Sequence, residues 1–322
     1  MQIKWLTFGA DINPFRRYNP VRPLVFWFNS RRMNKYVTRQ IDARFAELQR
    51  GAHNHSDRNK SIIDLVLNTY LSEKAGQEKA GQELQSMDAQ FKNFTMNQIK
   101  LFLFSGYDTT SSTVCYIFYV LATNPAILGR IRAEHTSVFG SDALNAASII
   151  RSNPSLLNKI PYTTAVIKEV LRMYPPVSGV RAGEPGFNVT DDVGRSFPTE
   201  GFLVWDVPQV IHRDPAYWLK PDDFLPERWL VAADDPLHPV KGAWRPFSHG
   251  PRNCIGQELA VLEMKVIMVM TARRFDIQLA YEDLDRAEGT ERIKTVHGER
   301  GYQIQRAQPS NDLPCHVARV AT

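Results

Sequence analysis

Phe247-Ser248-His249-Gly250-Pro251-Arg252-Asn253-Cys254-Ile255-Gly256 is the stretch on which the reading of this chain turns. It sets a cysteine where a loop containing Gly and Pro runs into a helix, which the apolar spacing predicts over residues 255–274. Free backbone N–H groups and the helix dipole at such a start favour a thiolate over a thiol. Gly250 and Gly256 let the backbone come close to a flat ligand, and Arg252 offers a fixed cation for a carboxylate. The competing explanation of a lone cysteine here is a buried structural thiol at a helix cap.

Outward from this segment the pattern changes twice. Pro215, Pro221, Pro226, Pro236, Pro239, Pro246 and Pro251 punctuate a long irregular stretch before it, and such loops inside compact domains are usually functional. From 177 to 211 short β-type runs alternate with turns at Asp191-Asp192 and Thr199-Glu200-Gly201. Earlier still, helical spacing dominates. Helices are predicted over 33–48, after a Ser61 cap, from Met96 to Thr123 behind a Thr95/Gln98 capping box, from Pro125 to Gly140, and over 162–173. A mainly extended tail follows the last helix. The fold class expected is α+β, predominantly helical. A polar linker over 53–60 and a Gly-Gln-Glu repeat at 76–78 and 81–83 read as solvated connections. The organisation expected is a helical segment with linker over 1–94 and a core over 95–322.

Composition narrows the function classes. The 322 residues are 43% apolar and 23% charged with a formal net charge of +5, and the basic residues are scattered among acids. No nucleic-acid partner is expected from that pattern. Three cysteines, Cys115, Cys254 and Cys315, give neither a disulfide framework nor a zinc pair, so a reducing compartment is expected. No signal peptide or anchor is read at Met1-Gln2-Ile3-Lys4-Trp5. Residues 101–121 approach the length of a membrane span, but Asp108 and several hydroxyls interrupt them. They read as a long core helix.

Two further constellations carry chemistry. Glu169 and Arg172 share a helix face at i, i+3, which alone would describe a solvated ion pair. Ser105-Gly106-Tyr107-Asp108-Thr109-Thr110 places polar groups on every face of an otherwise apolar helix, as a working site, a capped break between two helices or a polar patch facing solvent. Cys115 reads as packed, Cys315 as a tail residue, and His212 and His249 lack a second metal ligand at useful spacing.

The stretch around Cys254 resembles, position for position, the haem-binding signature of the cytochrome P450 monooxygenases, Phe-x-x-Gly-x-Arg-x-Cys-x-Gly. The resemblance implies a P450-like fold lacking its N-terminal part, with haem b (iron protoporphyrin IX) held by Phe247, Gly250, Arg252 and Gly256, and Cys254 as thiolate ligand to iron. Lys168-Glu169-Val170-Leu171-Arg172 is similar to the family's Glu-x-x-Arg helix, and Arg228 in Phe224-Leu225-Pro226-Glu227-Arg228-Trp229 to its partner arginine; these three are implied to be structural. Arg181 resembles an arginine that reaches a haem propionate. The 105–110 run is similar to the family's O2-binding helix, where the glycine allows a local opening and Asp108 and Thr109 relay protons. His212-Arg213-Asp214-Pro215 resembles a family segment and reads as a structural turn.

The resemblance therefore implies a haem-thiolate monooxygenase acting on a small apolar organic substrate with O2. Electrons come from NADPH through cytochrome P450 reductase at the cytoplasmic face of the endoplasmic reticulum. Likeness to filamentous-fungal members implies secondary-metabolite biosynthesis. Two rivals stand beside it: a peroxide-driven peroxygenase or isomerase using the same haem-thiolate, and a truncated, inactive remnant. Family members carry an anchor and a Trp-x-x-x-Arg segment ahead of the region resembled, and Met1 is expected to fall within the family's helical part.

Overall fold

The structure is a computed structural model that describes residues 21–49, 61–75, 87–289, 295, 300–301 and 309–320. The chain divides into two compact units, one ending at Ser105 and the other beginning at Gly106. The 53–60 linker and the Gly-Gln-Glu repeat lie outside the described residues.

The first unit contains helices α1 (Val21–Gln49), α2 (Ile62–Ala75) and the opening half of α3 (Ala89–Thr123). Val37, Ile41 and Phe45 of α1 meet Leu67 and Tyr70 of α2 in a small core, closed by Tyr70 stacking on Phe91 at 4.2 Å. Ser61 and Asp64 form a reciprocal cap on α2. The Asp64 N–H donates to Ser61 Oγ (3.2 Å), and the Ser61 N–H donates to Asp64 Oδ2 (2.8 Å). Helix α1 begins well before residue 33 because Leu24, Phe26, Trp27 and Phe28 are exposed and follow no single stripe, so the apolar period could not mark its start.

Helix α3 also starts earlier than the capping-box pattern predicts. Asp88 Oδ1 accepts the Gln90 N–H (2.8 Å) and is the working cap, whereas Thr95 sits buried inside the helix. The expectation of one continuous core helix over 101–121 holds only in part. Leu101 to Tyr107 are exposed, and burial sets in at Thr110.

The second unit packs the rest of α3 against α4 (Pro125–Phe139), α6 (Pro161–Met173) and α8 (Gln257–Thr271), with the short α5 (Ala146–Ser152) alongside. Ile117, Val120 and Leu121 of α3 meet Ile131, Val166, Val170, Met264 and Met268 in its main core. Helix α6 is buried on every side, so its Glu169 and Arg172 lie within protein. Its first turn is capped from a neighbour: Glu134 of α4 accepts the N–H groups of Tyr162 (2.7 Å) and Thr163 (2.8 Å), a carboxylate at the positive end of the helix dipole.

Among the described residues the strands form three antiparallel pairs. β1 (Gly179–Ala182) pairs with β4 (Leu203–Asp206), β2 (Asn188–Thr190) with β3 (Ser196–Pro198), and β5 (Phe275–Leu279) with β6 (Cys315–Arg319). The short helices α7 (Pro208–Ile211) and α9 (Tyr281–Glu288) complete the unit. Between α7 and α8 the proline-rich segment holds only turns and short 3-10 pieces. Helix α8 is shorter at both ends than its predicted span. Among the described residues no single helix is long and apolar enough to cross a membrane.

Candidate haem-thiolate site

The site is built from the buried ion cluster outward. Glu169, Arg172 and Arg228 are fully buried, which removes the solvated-pair alternative. Glu169 accepts five hydrogen bonds: from Arg172 Nε (3.0 Å) and Nη2 (2.8 Å), Arg228 Nε (3.0 Å), the Leu225 N–H (3.0 Å) and Trp229 Nε1 (3.0 Å). The arginines spend their other N–H groups on loop carbonyls. Arg172 reaches His212 O (2.8 Å), Pro221 O (2.6 Å) and Asp223 O (3.0 Å). Arg228 reaches Leu219 O (3.2 Å) and Lys220 O (3.3 Å). Charges buried this way are tolerable only because nearly every polar atom has a partner. Burial draws the Arg228 guanidinium below its ordinary pKa, and Glu169 opposes the shift.

The cluster thus pins a segment that has no secondary structure of its own. An aromatic ladder runs through the same segment: Trp218 to Trp229 (6.1 Å between centroids), Trp229 to Trp244 (5.5 Å) and Trp244 to Phe247 (5.9 Å). Trp244 Nε1 donates to Lys168 O on α6 (3.2 Å). Sequence reasoning missed this ladder, although four large aromatics in a stretch without apolar period were its visible signal.

At the end of the ladder the chain turns tightly. Ser248 and Gly250 have φ of 63° and 77°, the left-handed region that Gly adopts without strain. The Cys254 N–H donates to Phe247 O (2.9 Å) and to Asn253 Oδ1 (2.8 Å), and α8 begins three residues later. Phe247 is half-buried against the main core. The Cys254 thiol is exposed, which overturns the buried structural alternative. A Cβ on Gly256 would approach the Cys254 sulfur at 3.9 Å, an ordinary van der Waals contact. Arg252 is exposed, and among the described residues its guanidinium has no hydrogen-bond or ion-pair partner.

On β1, Arg181 is also exposed and, among the described residues, donates only to its neighbour's carbonyl, Val180 O (2.9 Å). The adjacent strand faces show exposed Val180, Leu203 and Trp205, the turn before α8 shows Ile255, and α8 shows Leu259 and Leu262. A soft sulfur donor, cations aimed at solvent and apolar surface are the chemistry that an iron porphyrin with carboxylate arms requires, so these residues fit haem.

The 105–110 run lies within regular helix; neither the expected local opening nor a break between two helices is present. Thr113 Oγ1 donates to Thr109 O (2.9 Å) and Ser111 Oγ to Asp108 O (3.1 Å). These back-bonds let hydroxyls sit inside a helix without unwinding it. A Cβ at Gly106 would meet nothing within 4 Å, so open space flanks the helix there. Asp108 and Thr109 are half-buried.

Two histidines are fully buried, His135, which the sequence did not single out, and His212. His212 was read as part of a turn; its ring is bonded on both nitrogens. Burial, with nearby arginines, pushes both imidazoles from 6.5 to about 4. The unfolded chain therefore takes up protons first. Stability from the neutral rings is full above about pH 6.5 and is lost as pH falls toward 4. Each should cost about 2 kcal/mol between pH 7 and about pH 5, above the carboxylate range. Urea midpoints at the two pH values should show the drop, and His135→Gln should roughly halve it; an unchanged pH effect in that variant would refute the assignment.

Fold and turn together define a helix-dominated α+β protein presenting one exposed cysteine at a helix start above a buried Glu-Arg-Arg cluster. Residues 8–306 match the family described as Cytochrome P450. The cytochrome P450 monooxygenase polC of Polytolypa hystricis is 40% identical over 323 residues, covering 99% of this chain and 56% of that protein. The cytochrome P450 monooxygenase acrF of Aspergillus aculeatus is 30% identical over 330 residues, covering 95% and 63% respectively. The crystal structure of the cytochrome P450DA heme domain aligns with a TM-score of 0.64 at 20% identity, over 93% of this chain and 56% of that one, a likeness of fold. The chain belongs to the cytochrome P450 family. It spans 56% and 63% of the lengths of the two fungal relatives.

Proposed function

We propose that this chain is the haem-binding part of a haem-thiolate monooxygenase, with residues 95–322 as its catalytic core. The observation that carries the reading is the exposed Cys254 thiol, held in the turn just ahead of α8 by a backbone bond to Phe247. The overall reaction is RH + O2 + 2 e⁻ + 2 H⁺ → ROH + H2O, with RH a small apolar organic molecule. Electrons come from NADPH through cytochrome P450 reductase, and the site faces the cytoplasm at the endoplasmic reticulum. The fungal relatives support a role in secondary-metabolite biosynthesis.

Bound haem b supplies O2 activation and oxygen transfer. Cys254 Sγ would be its protein ligand, and Arg252 and Arg181 would hold its carboxylate arms through charge-assisted hydrogen bonds. Phe247, Gly250 and Gly256 shape the turn that would receive it. Asp108 and Thr109, half-buried neighbours on α3, would hold and pass the protons that this chemistry consumes. Among the described residues the Asp108 carboxylate has no hydrogen-bond partner that would compete for this task.

The test is the reduced, carbon-monoxide-bound absorption spectrum of the 322-residue chain supplied with haem. A strongly red-shifted Soret band is expected, and absence of haem uptake would refute the proposal for this chain. Given such binding, Thr109→Ala should divert O2 consumption from product to peroxide with Cys254 ligation intact. Proton delivery of this kind contributes about 10²-fold or more. Coupling equal to the wild type would remove Thr109 from the relay.

A further inference from the structure

We infer that His212 is the positioning residue that ties the Cys254 turn to the buried Glu169-Arg172-Arg228 cluster, a role that rests on the haem-thiolate reading for its function but not for its geometry. The ring bridges two elements. The Arg245 N–H donates to His212 Nε2 (2.8 Å), so Nε2 is unprotonated and Nδ1 carries the hydrogen. Nδ1 then donates to Arg172 O (2.9 Å) in the last turn of α6. Arg172 returns a bond to the His212 carbonyl (2.8 Å). One residue is thus clasped to the cluster twice and hands its remaining ring nitrogen to the segment that leads to the cysteine.

From Arg245 the connection to the thiol is short and made of backbone bonds. The Ser248 N–H donates to Arg245 O (3.1 Å), closing the turn around Phe247, and Phe247 O receives the Cys254 N–H (2.9 Å). Trp244 gives a second tether to α6 through Lys168 O. That bond is long and holds the residue before Arg245, whereas the imidazole takes the Arg245 N–H itself at 2.8 Å. Edge contact with Trp218 at 6.1 Å holds the ring plane. Groups behind a metal ligand commonly control its affinity by about 10–100-fold.

Two substitutions separate the two ring bonds. Gln at 212 can place its carbonyl oxygen where Nε2 stands and keep the Arg245 bond. Asn can place its amide nitrogen where Nδ1 stands and keep only the Arg172 bond. The primary measurement is amide hydrogen exchange of Cys254 and Ser248 in the full chain without haem. His212→Asn should speed their exchange by about tenfold, the worth of one net hydrogen bond, while His212→Gln should stay near wild type. Haem titration should follow the same order, with affinity about 10–100-fold weaker in the Asn variant alone. Equal effects of both variants would reduce His212 to a general fold element and overturn the inference, as would no effect of either. If wild type takes up no haem, the proposed function fails, yet the exchange pattern still decides the role of His212.

Discussion

Cys254→Ala abolishes the red-shifted, thiolate-type carbon monoxide band while leaving the folded chain's stability within about 0.5 kcal/mol of wild type. The combination is unusual for a cysteine, which is among the most buried residue types. Here the thiol is exposed. The bonds that shape its turn come from the backbone N–H, to Phe247 O and Asn253 Oδ1. Alanine keeps that N–H and loses only sulfur. Any loss of ligation therefore cannot be assigned to an unfolded turn. Denaturant midpoints and the reduced carbon monoxide spectrum, taken on the same preparation, decide the matter. An unchanged band would remove Cys254 as the ligand, and a collapsed midpoint would make it a structural residue after all.

The residues that the sequence made legible share one physical trait: each is tied to its role by local chain geometry. Cys254 follows a turn that needs Gly250 at positive φ, and Glu169 and Arg172 lie one helical turn apart. Their spacing survives any tertiary arrangement. The resemblance placed Arg228 beside them across 59 residues of chain, and the structure brings it to 3.0 Å from Glu169. What stayed hidden depends on which side chains meet after folding. His212 looked like a turn because its bonds go to Arg172 O and Arg245 N–H, distant in sequence and contributed by backbone. Thr95 looked like a cap because its pattern fits one, but Asp88 outcompetes it seven residues upstream. The irregular segment before Cys254 gave no period to read, since its order comes from carbonyls claimed by Arg172 and Arg228.

Glu169→Ala should cost about 3–5 kcal/mol, the range for removing one partner of a buried ion cluster. That is a large share of a domain's usual net stability of about 5–15 kcal/mol. The cause is the number of donors left behind. Five N–H groups from Arg172, Arg228, Leu225 and Trp229 converge on this carboxylate, and the three from the two arginines cannot turn to water because both guanidinium groups are fully buried. Two guanidinium charges would then face each other without an anion between them. The exposed pair of Arg130 with Glu227 provides the internal contrast. Glu227→Gln should change stability by less than about 1 kcal/mol, as solvated pairs do. Urea unfolding of both variants measures the difference. A Glu169→Ala chain as stable as Glu227→Gln would mean that the cluster does not hold the loop, and its arginines would have to be reconsidered as groups acting at the haem. A large loss in Glu169→Ala alone makes the cluster the mechanical base of the site, since Arg172 is the residue to which His212 fastens the segment carrying Cys254.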